Sequence, residues 1–504
     1  MQSGFTLLDA AVLVAYFAAT MWLGIKLGSK QKDARDYFVG GGQLPWWAIC
    51  FSVVATETSA LTFISIPALA YTGNLGFLQV AAGYLVGRIV VSVVLLPRYY
   101  DGQLVTAYAM LEKRFGLGTR RFASVTFMAT RAFGDSVRVF ATSIPLALIL
   151  GPILPAQWLT PVSILLLGVC TVIYTYHGGM RAVVWTDVVQ MGVYLLGGLA
   201  AVVLIGHGVD GGWAAILSRA GDAHKLRLIN TSFVLGDPHT LWSGLIGGAF
   251  LSMASHGADQ LIVQRLLGAR TLADAKRALV VSGAVVIAQF ALFLLIGIGL
   301  WTYYDGRSFA QPDRIFPEFI VNVMPPGLTG LVVAALLAAA MSTISSSLNA
   351  LAAATTHDLW LPLTKHRADD AATLVAARRF TLLWAAILIG GALMYRAQGT
   401  PVVVIALSVA SFTYGALLGG FFLALLWPRA LQRDAITGMT IGILAMSVVV
   451  FAKPLGTWFA ALESPLRPLT GIAWPWYVLI GTSITLLTGM ISSLFPHRSF
   501  LVKT

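Results

Sequence analysis

Three stretches of this sequence carry oxygen-bearing side chains inside otherwise apolar runs. In Thr56-Glu57-Thr58-Ser59-Ala60-Leu61-Thr62-Phe63-Ile64-Ser65-Ile66-Pro67, five hydroxyls and one carboxylate precede a proline. In Ser342-Thr343-Ile344-Ser345-Ser346-Ser347, five of six residues are hydroxylic. Asp187 stands alone in Val184-Trp185-Thr186-Asp187-Val188-Val189-Gln190. Neutral hydroxyls and freed backbone carbonyls suit a hard monovalent cation, which prefers oxygen and has a modest desolvation cost. On a helix, Ala339, Ser342 and Ser346 share one face, flanked by Thr343 and Ser345. Pro67 removes one backbone donor and disturbs the turn before it, so the expectation is a helix that unwinds there. Each stretch also has a plainer reading: a proline-kinked helix whose hydroxyls bond back to its own carbonyls, a close-packed Ala/Ser interface, and an interfacial acid.

A fourth cluster is basic. Arg131, Asp135 and Arg138 share a single apolar stretch, and the three-residue step from Asp135 to Arg138 allows an intrahelical pair. Alternatively, Arg138 presents its forked donors to an anionic solute. Arg88 is expected to snorkel toward the inner end of its span.

These residues must be positioned by membrane helices. The chain has 504 residues, 58% hydrophobic and only 11% charged, where a soluble domain carries roughly 25%. Its mean hydropathy is +0.81. About 20 apolar residues cross a bilayer as a helix. Thirteen stretches meet that length, near 5–27, 46–72, 75–97, 122–150, 158–176, 183–206, 239–257, 275–303, 327–361, 376–396, 401–427, 435–452 and 472–495. Runs this long and continuous exclude barrel strands. The net charge of +12 does not imply a nucleic-acid partner, because Lys and Arg fall in short loops on alternate sides. That bias places the N-terminus outside and the C-terminus in the cytoplasm of a cell (inner or plasma) membrane protein. The two cysteines, Cys50 and Cys170, form no disulfide framework or metal spacing. No nucleotide motif, GxSxG or HExxH occurs, so an enzyme is not expected.

With those residues in view, the chain resembles the sodium:solute symporters, which include sodium–glucose, proline, pantothenate and sialic-acid carriers. Four stretches carry the likeness: Phe63 to Tyr71 with the Thr-Glu-Thr-Ser-Ala before it; Gly178-Gly179-Met180-Arg181-Ala182 through Gln190; Gly257-Ala258-Asp259-Gln260 through Arg265; and Gly330 through Asn349, ending at Asp358. The resemblance implies an all-α, leucine-transporter-like core in which residues 46–206 and 239–427 form two inverted five-helix repeats. Residues 1–45 and 428–504 would be peripheral, and 207–238 an outer loop. The seventh span, with Gly244, Gly247, Gly248, Ser252 and Gly257, would be the second broken helix.

It further implies sodium-coupled uptake of a small polar solute (a sugar, amino acid or carboxylate) by alternating access. A first Na+ would take the carbonyls of Ala55, Thr58 and Ala339 and the hydroxyls of Ser342 and Thr343, the last standing where a serine is often found. A second Na+ would take Ser345, Ser346 and Asp187, with Ser342 shared. Ser59 and Thr62 match solute-contacting positions, joined by Gln79, Asp135 and Arg138. Phe412 and Tyr414 are gate candidates, with plain packing the alternative. Two other classes stay open: a proton-coupled carrier titrating Glu57 or Asp187, and a non-transporting membrane sensor. The latter is disfavoured because no signalling segment follows the last span.

Overall fold

A backbone in lipid must satisfy its own hydrogen bonds, and this chain does so with helices. The computed structural model describes residues 5–28, 33–58, 60–101, 104–151, 153–364, 370–395 and 402–495. In chain order the principal helices are α1 (Leu7–Gly28), α2 (Trp46–Glu57), α3 (Ala60–Thr72), α4 (Phe77–Val94), α5 (Leu117–Leu150), α6 (Ala156–Gly208), α7 (Gly248–Met253), α8 (Gln260–Leu267), α9 (Leu272–Tyr303), α10 (Leu328–Ala354), α11 (Asp370–Met394), α12 (Val402–Leu426), α13 (Gln432–Val450) and α14 (Trp476–Leu494). Helix thus occupies each stretch expected to span. Among the described residues, eight helices are long and apolar enough to cross a membrane, and α2 with α3 adds a ninth as one span bent by 64°.

The longest helix cannot be one crossing. At 1.5 Å per residue the 53 residues of α6 would reach about 80 Å, against a hydrocarbon core of about 30 Å. The chain breaks at Gly179, whose φ of 53° and ψ of −154° leave the helical region. A Cβ at Gly179 would come within 2.5 Å of the Tyr37 carbonyl oxygen. Glycine is therefore required at 179 twice over, by its backbone angles and by the close approach of Tyr37.

The second break lies in the stretch 239–259. Wide helical turns at 243–247 and 254–258 flank α7, and Asp259 then turns extended. Its carboxylate accepts the Leu261 amide at 2.8 Å, so Asp259 caps α8. Helix α4 lies directly on this segment: a Cβ at Gly83 would sit 2.1 Å from the Gly244 carbonyl oxygen. Small residues let the two backbones meet.

At the centre is α10, buried along nearly its whole length. It packs on α6, α5, α2 and α1, while Phe133, Leu196 and Val203 on its neighbours stay exposed in the manner of lipid-facing side chains. Helix α1 is clamped rather than loosely apposed. The fully buried Asp9 accepts the amides of Gly327 and Gly330, each at 2.7 Å, at the start of α10. Lys225 reaches from the 207–238 loop to the carbonyls of Tyr71 (2.6 Å) and Gly73. Burial there holds its ammonium below the usual lysine range. The two long connecting segments, 207–238 and 304–326, contain short helices, Gly212–Asp222 and Ile315–Val323.

Candidate ion and solute site at the helix break

The first break is at Thr58, nine positions before the proline that sequence reading made responsible. Pro67 lies inside the continuous α3, while Thr58 adopts φ −82° and ψ 100° and ends α2. A proline costs a helix one donor bond, which packing against α9 can absorb. The side chain of Thr58 is instead drawn sideways. Its hydroxyl is 2.7 Å from Nε2 and 3.1 Å from Oε1 of Gln289 on α9. The same Gln289 amide donates to Tyr194 at 3.2 Å. The helical ladder stops where the Thr58 amide donates to Val54. The carbonyls of Ala55 to Thr58 then become the terminal acceptors that a helix leaves without intrahelical partners.

Across from this end runs the unbroken α10. Thr56 and Ser346 hydroxyls meet at 3.2 Å, and Ser52 and Ser342 both donate to Asp187, at 2.6 and 2.7 Å. The break and the hydroxyl run are therefore joined through a shared carboxylate. Ala55, Thr58, Ala339, Ser342 and Thr343 are all buried. Thr343 gives its proton to the Ala339 carbonyl at 3.1 Å, as Ser342 gives its own to Asp187. A hydroxyl whose proton is engaged still offers oxygen lone pairs. Neutral oxygens with committed protons fit a hard cation such as Na+ and do not fit a soft one.

Asp187 is deeper than one turn from a helix end. It is wholly buried and bonded to groups on α2, α8 and α10. Besides Ser52 and Ser342, it faces Arg265 of α8, whose Nη2 lies 3.4 Å from Oδ2. Arg265 also donates from Nε to Ser52 at 2.9 Å, from Nη1 to its own helix at Leu261, and from Nη2 to Ser346. Ser345 and Ser346 both donate to the Ser342 carbonyl, at 3.1 and 2.5 Å. Of the groups read as a second cation site, Asp187 and Ser346 thus touch a guanidinium that belongs to the protein, while Ser342 bonds to Asp187.

Asp135 and Arg138 border Thr343. With Val139, Thr142, Ala340 and Ile344 they line a space of about 10 Å³, room for about one water. A space of that size holds no sugar- or amino-acid-sized molecule. Arg138 pairs with Asp135 at 3.3 Å and is partly exposed, while Ser347 donates to the other Asp135 oxygen at 2.5 Å. Gln79 is not part of this space. Its amide donates to the His239 carbonyl at 2.8 Å and its oxygen accepts the Asn230 amide. It forms a wall of a separate cavity of about 310 Å³, together with Asp237, Arg227 and Thr72. Thr62 is half-buried in α3; Ser59 and the side chain of Phe412 lie outside the described residues.

Tyr414 is a tie rather than a free gate. Its hydroxyl donates to Asp259 at 2.7 Å and accepts from Arg131 at 2.8 Å, and Arg131 also pairs with Asp259. This triad joins α5, α12 and the second helix break. Arg88 does not snorkel. It is fully buried, donates to Ser282 at 2.7 Å and pairs with Glu57, which His256 approaches at 3.7 Å. A guanidinium that meets a carboxylate at depth has no reason to reach for the surface. Sequence reading missed the roles of Arg265, Arg131 and Asp259. The signal was four polar or charged residues, Asp259, Gln260, Gln264 and Arg265, within one otherwise apolar stretch.

Comparison with known proteins gives a consistent picture. A family model described as the sodium:solute symporter family matches residues 37–442. The sodium/sialic acid symporter NanT of Aliivibrio fischeri is 29% identical over 97% of this chain and 93% of its own length. The sodium/sialic acid symporter SiaT of Proteus mirabilis is 31% identical over 90% and 92%. A solved structure, described as the substrate-bound outward-open state of a Na+-coupled sialic acid symporter with a novel Na+ site, superimposes with a TM-score of 0.84. It is 29% identical and covers 98% of this chain and 99% of that one. These relatives are transporters, not enzymes.

Proposed function

The chain belongs to the sodium:solute symporter family, and from that premise we propose that it carries a small polar organic solute into the cell with Na+ by alternating access. The observation that carries this reading is the end of α2 at Thr58, placed against the hydroxyl run of α10. Ala55, Thr58 and Ala339 would offer carbonyls to the ion, and Ser342 and Thr343 their hydroxyls. Bound there, Na+ would fix the unwound backbone beside the solute space. Reciprocity then requires the solute to tighten sodium binding by the same factor. The membrane potential adds about 2.3 kcal/mol per charge at 100 mV.

Thirteen crossings, an external N-terminus and an inverted pair of repeats, 46–206 and 239–427, belong to the same proposal. The broken α2–α3 and α7–α8 would be equivalent helices of the two repeats. The solute would sit beside Thr343, contacting Ser59, Thr62 and Arg138. Arg138 is partly exposed and held by a 3.3 Å pair, which favours a solute bearing a carboxylate. Two of the similar relatives are named for an acid, sialic acid.

The test has two steps. A thermal-shift screen of the purified protein against sugars, amino acids and carboxylates, in sodium and in potassium, should find a ligand that stabilises in sodium alone. Proteoliposomes given that ligand should then accumulate it down an inward sodium gradient at constant pH. Uptake that follows a pH gradient and ignores sodium would replace this reading with a proton-coupled one.

A further inference from the structure

The cavity beside Gln79 has no part in the ion and solute reading. Its volume of about 310 Å³ stands at the lower end of the range that holds small-molecule ligands, roughly 300–1,000 Å³. The end of α3 and the start of α4 wall it on one side, and the segment 227–239 on the other. The walls divide by chemistry. Leu69, Phe77, Leu228 and Ile229 give apolar surface, while Arg227, Asn230, Asp237 and His239 give charge and hydrogen bonds. The two charges are not equally committed. Asp237 accepts the His239 backbone amide at 2.8 Å on one oxygen and the Asn230 side-chain amide at 3.2 Å on the other. Arg227 is exposed. Its guanidinium makes two long bonds of 3.4 Å, both to neutral acceptors, the Ile229 carbonyl and Asn230 Oδ1, and no ion pair joins it to a carboxylate among the described residues.

A guanidinium held by neutral acceptors keeps its capacity for a carboxylate, which it meets with two parallel donors. The apolar wall beside it rewards a ligand that carries hydrocarbon as well as charge. We propose that this cavity is a second binding site, taking a small organic carboxylate with its anionic group on Arg227 and its apolar body against Phe77, Leu69 and Ile229. Asn230 and His239 are then placed for the hydroxyl or amide groups of the same ligand. The site shares no residue with the proposed ion ligands or with the space beside Thr343, so binding there needs no sodium. A bound acid would bridge the segment 227–239 to the end of α3, where Lys225 already holds the carbonyls of Tyr71 and Gly73. The same chemistry belongs to a carried solute that is an acid and to an acid that is never carried, and the test separates the two.

Phenylglyoxal, which modifies accessible arginines, reads the site directly. Full-length protein in potassium, without sodium, is labelled in the presence of benzoate, N-acetylneuraminate, benzamide or sulfate, and modification of Arg227 is followed by peptide mass spectrometry. Arg219, exposed on the same connecting segment and outside the cavity, is the internal control. At a concentration ten times its dissociation constant, at least one of the two carboxylates should slow labelling of Arg227 about tenfold and leave Arg219 unchanged. Benzamide lacks the charge and sulfate lacks the apolar body, so each should protect several-fold less. Equilibrium binding of the protecting acid should weaken about tenfold in Arg227→Gln, a change on an exposed loop that leaves the helices untouched. Protection by an acid that is also taken up with sodium makes the cavity a station for the carried solute. Protection by an acid that is not taken up makes it a site for a separate organic acid. No protection by either carboxylate would overturn the proposal. So would equal protection by sulfate or by benzamide, or unchanged binding in Arg227→Gln. Any of these failures leaves the sodium-coupled reading standing, because none of its ligands lines this cavity.

Discussion

Replacing Ser342 and Thr343 together by alanine is expected to weaken sodium binding by about a hundredfold. Each hydroxyl contributes roughly 1–1.5 kcal/mol as a polar ligand, close to a factor of ten apiece. The protein should still insert and fold. Both residues lie on the fully helical α10, where alanine is a good helix former, and Asp187 keeps Ser52 and Arg265 after losing Ser342. The sodium concentration that gives half-maximal thermal stabilisation, or half-maximal uptake once a solute is known, should rise by that factor. Because solute and ion are linked, solute affinity at fixed sodium should fall as well. A double variant with wild-type sodium dependence would refute the ligand assignment.

Arg131→Met is expected to be the most destabilising substitution in the buried triad. Asp259 and Arg131 are both buried, with Tyr414 bonded to each. Removing one member of a buried ion pair costs roughly 3–5 kcal/mol, because the other charge is left uncompensated. The thermal midpoint should drop by many degrees. Adding Asp259→Asn should recover much of the loss, since the amide is neutral and can still cap α8 through its oxygen. Equal midpoints for Arg131→Met and wild type would show that the triad does not hold α5, α12 and the second break together. A double variant no more stable than the single would locate the loss in packing instead of charge.

These effects divide along the line between what the sequence discloses and what it hides. Hydropathy marked the positions of the helices, because a lipid-facing helix cannot disguise twenty apolar residues. The hydroxyl run 342–347 and the polar turn 56–59 were visible for the same reason: polar atoms at such depth need a cause. What escaped was long-range pairing. Arg265 was counted with the loop charges, Arg88 was left near a helix end, and Arg131 was grouped with Asp135 and Arg138 on its own helix. Their partners Asp187, Glu57 and Asp259 lie 78, 31 and 128 residues away. No local pattern records such a distance. Pro67 misled in the opposite direction. A proline signals a possible break, but the break formed where Gln289 captured the Thr58 side chain. Gln79, in the third expected span, was offered as a solute contact, and its side chain bonds to the 207–238 loop at Asn230 and to His239.

The account depends on where a sodium ion sits, and a high-resolution cryo-EM map of the protein in sodium answers that directly. It should show an ion held between the end of α2 and the middle of α10, coordinated by the carbonyls of Ala55, Thr58 and Ala339 and by the hydroxyls of Ser342 and Thr343. A map with sodium coordinated elsewhere, or with α2 continuing as helix through Thr58, would contradict it.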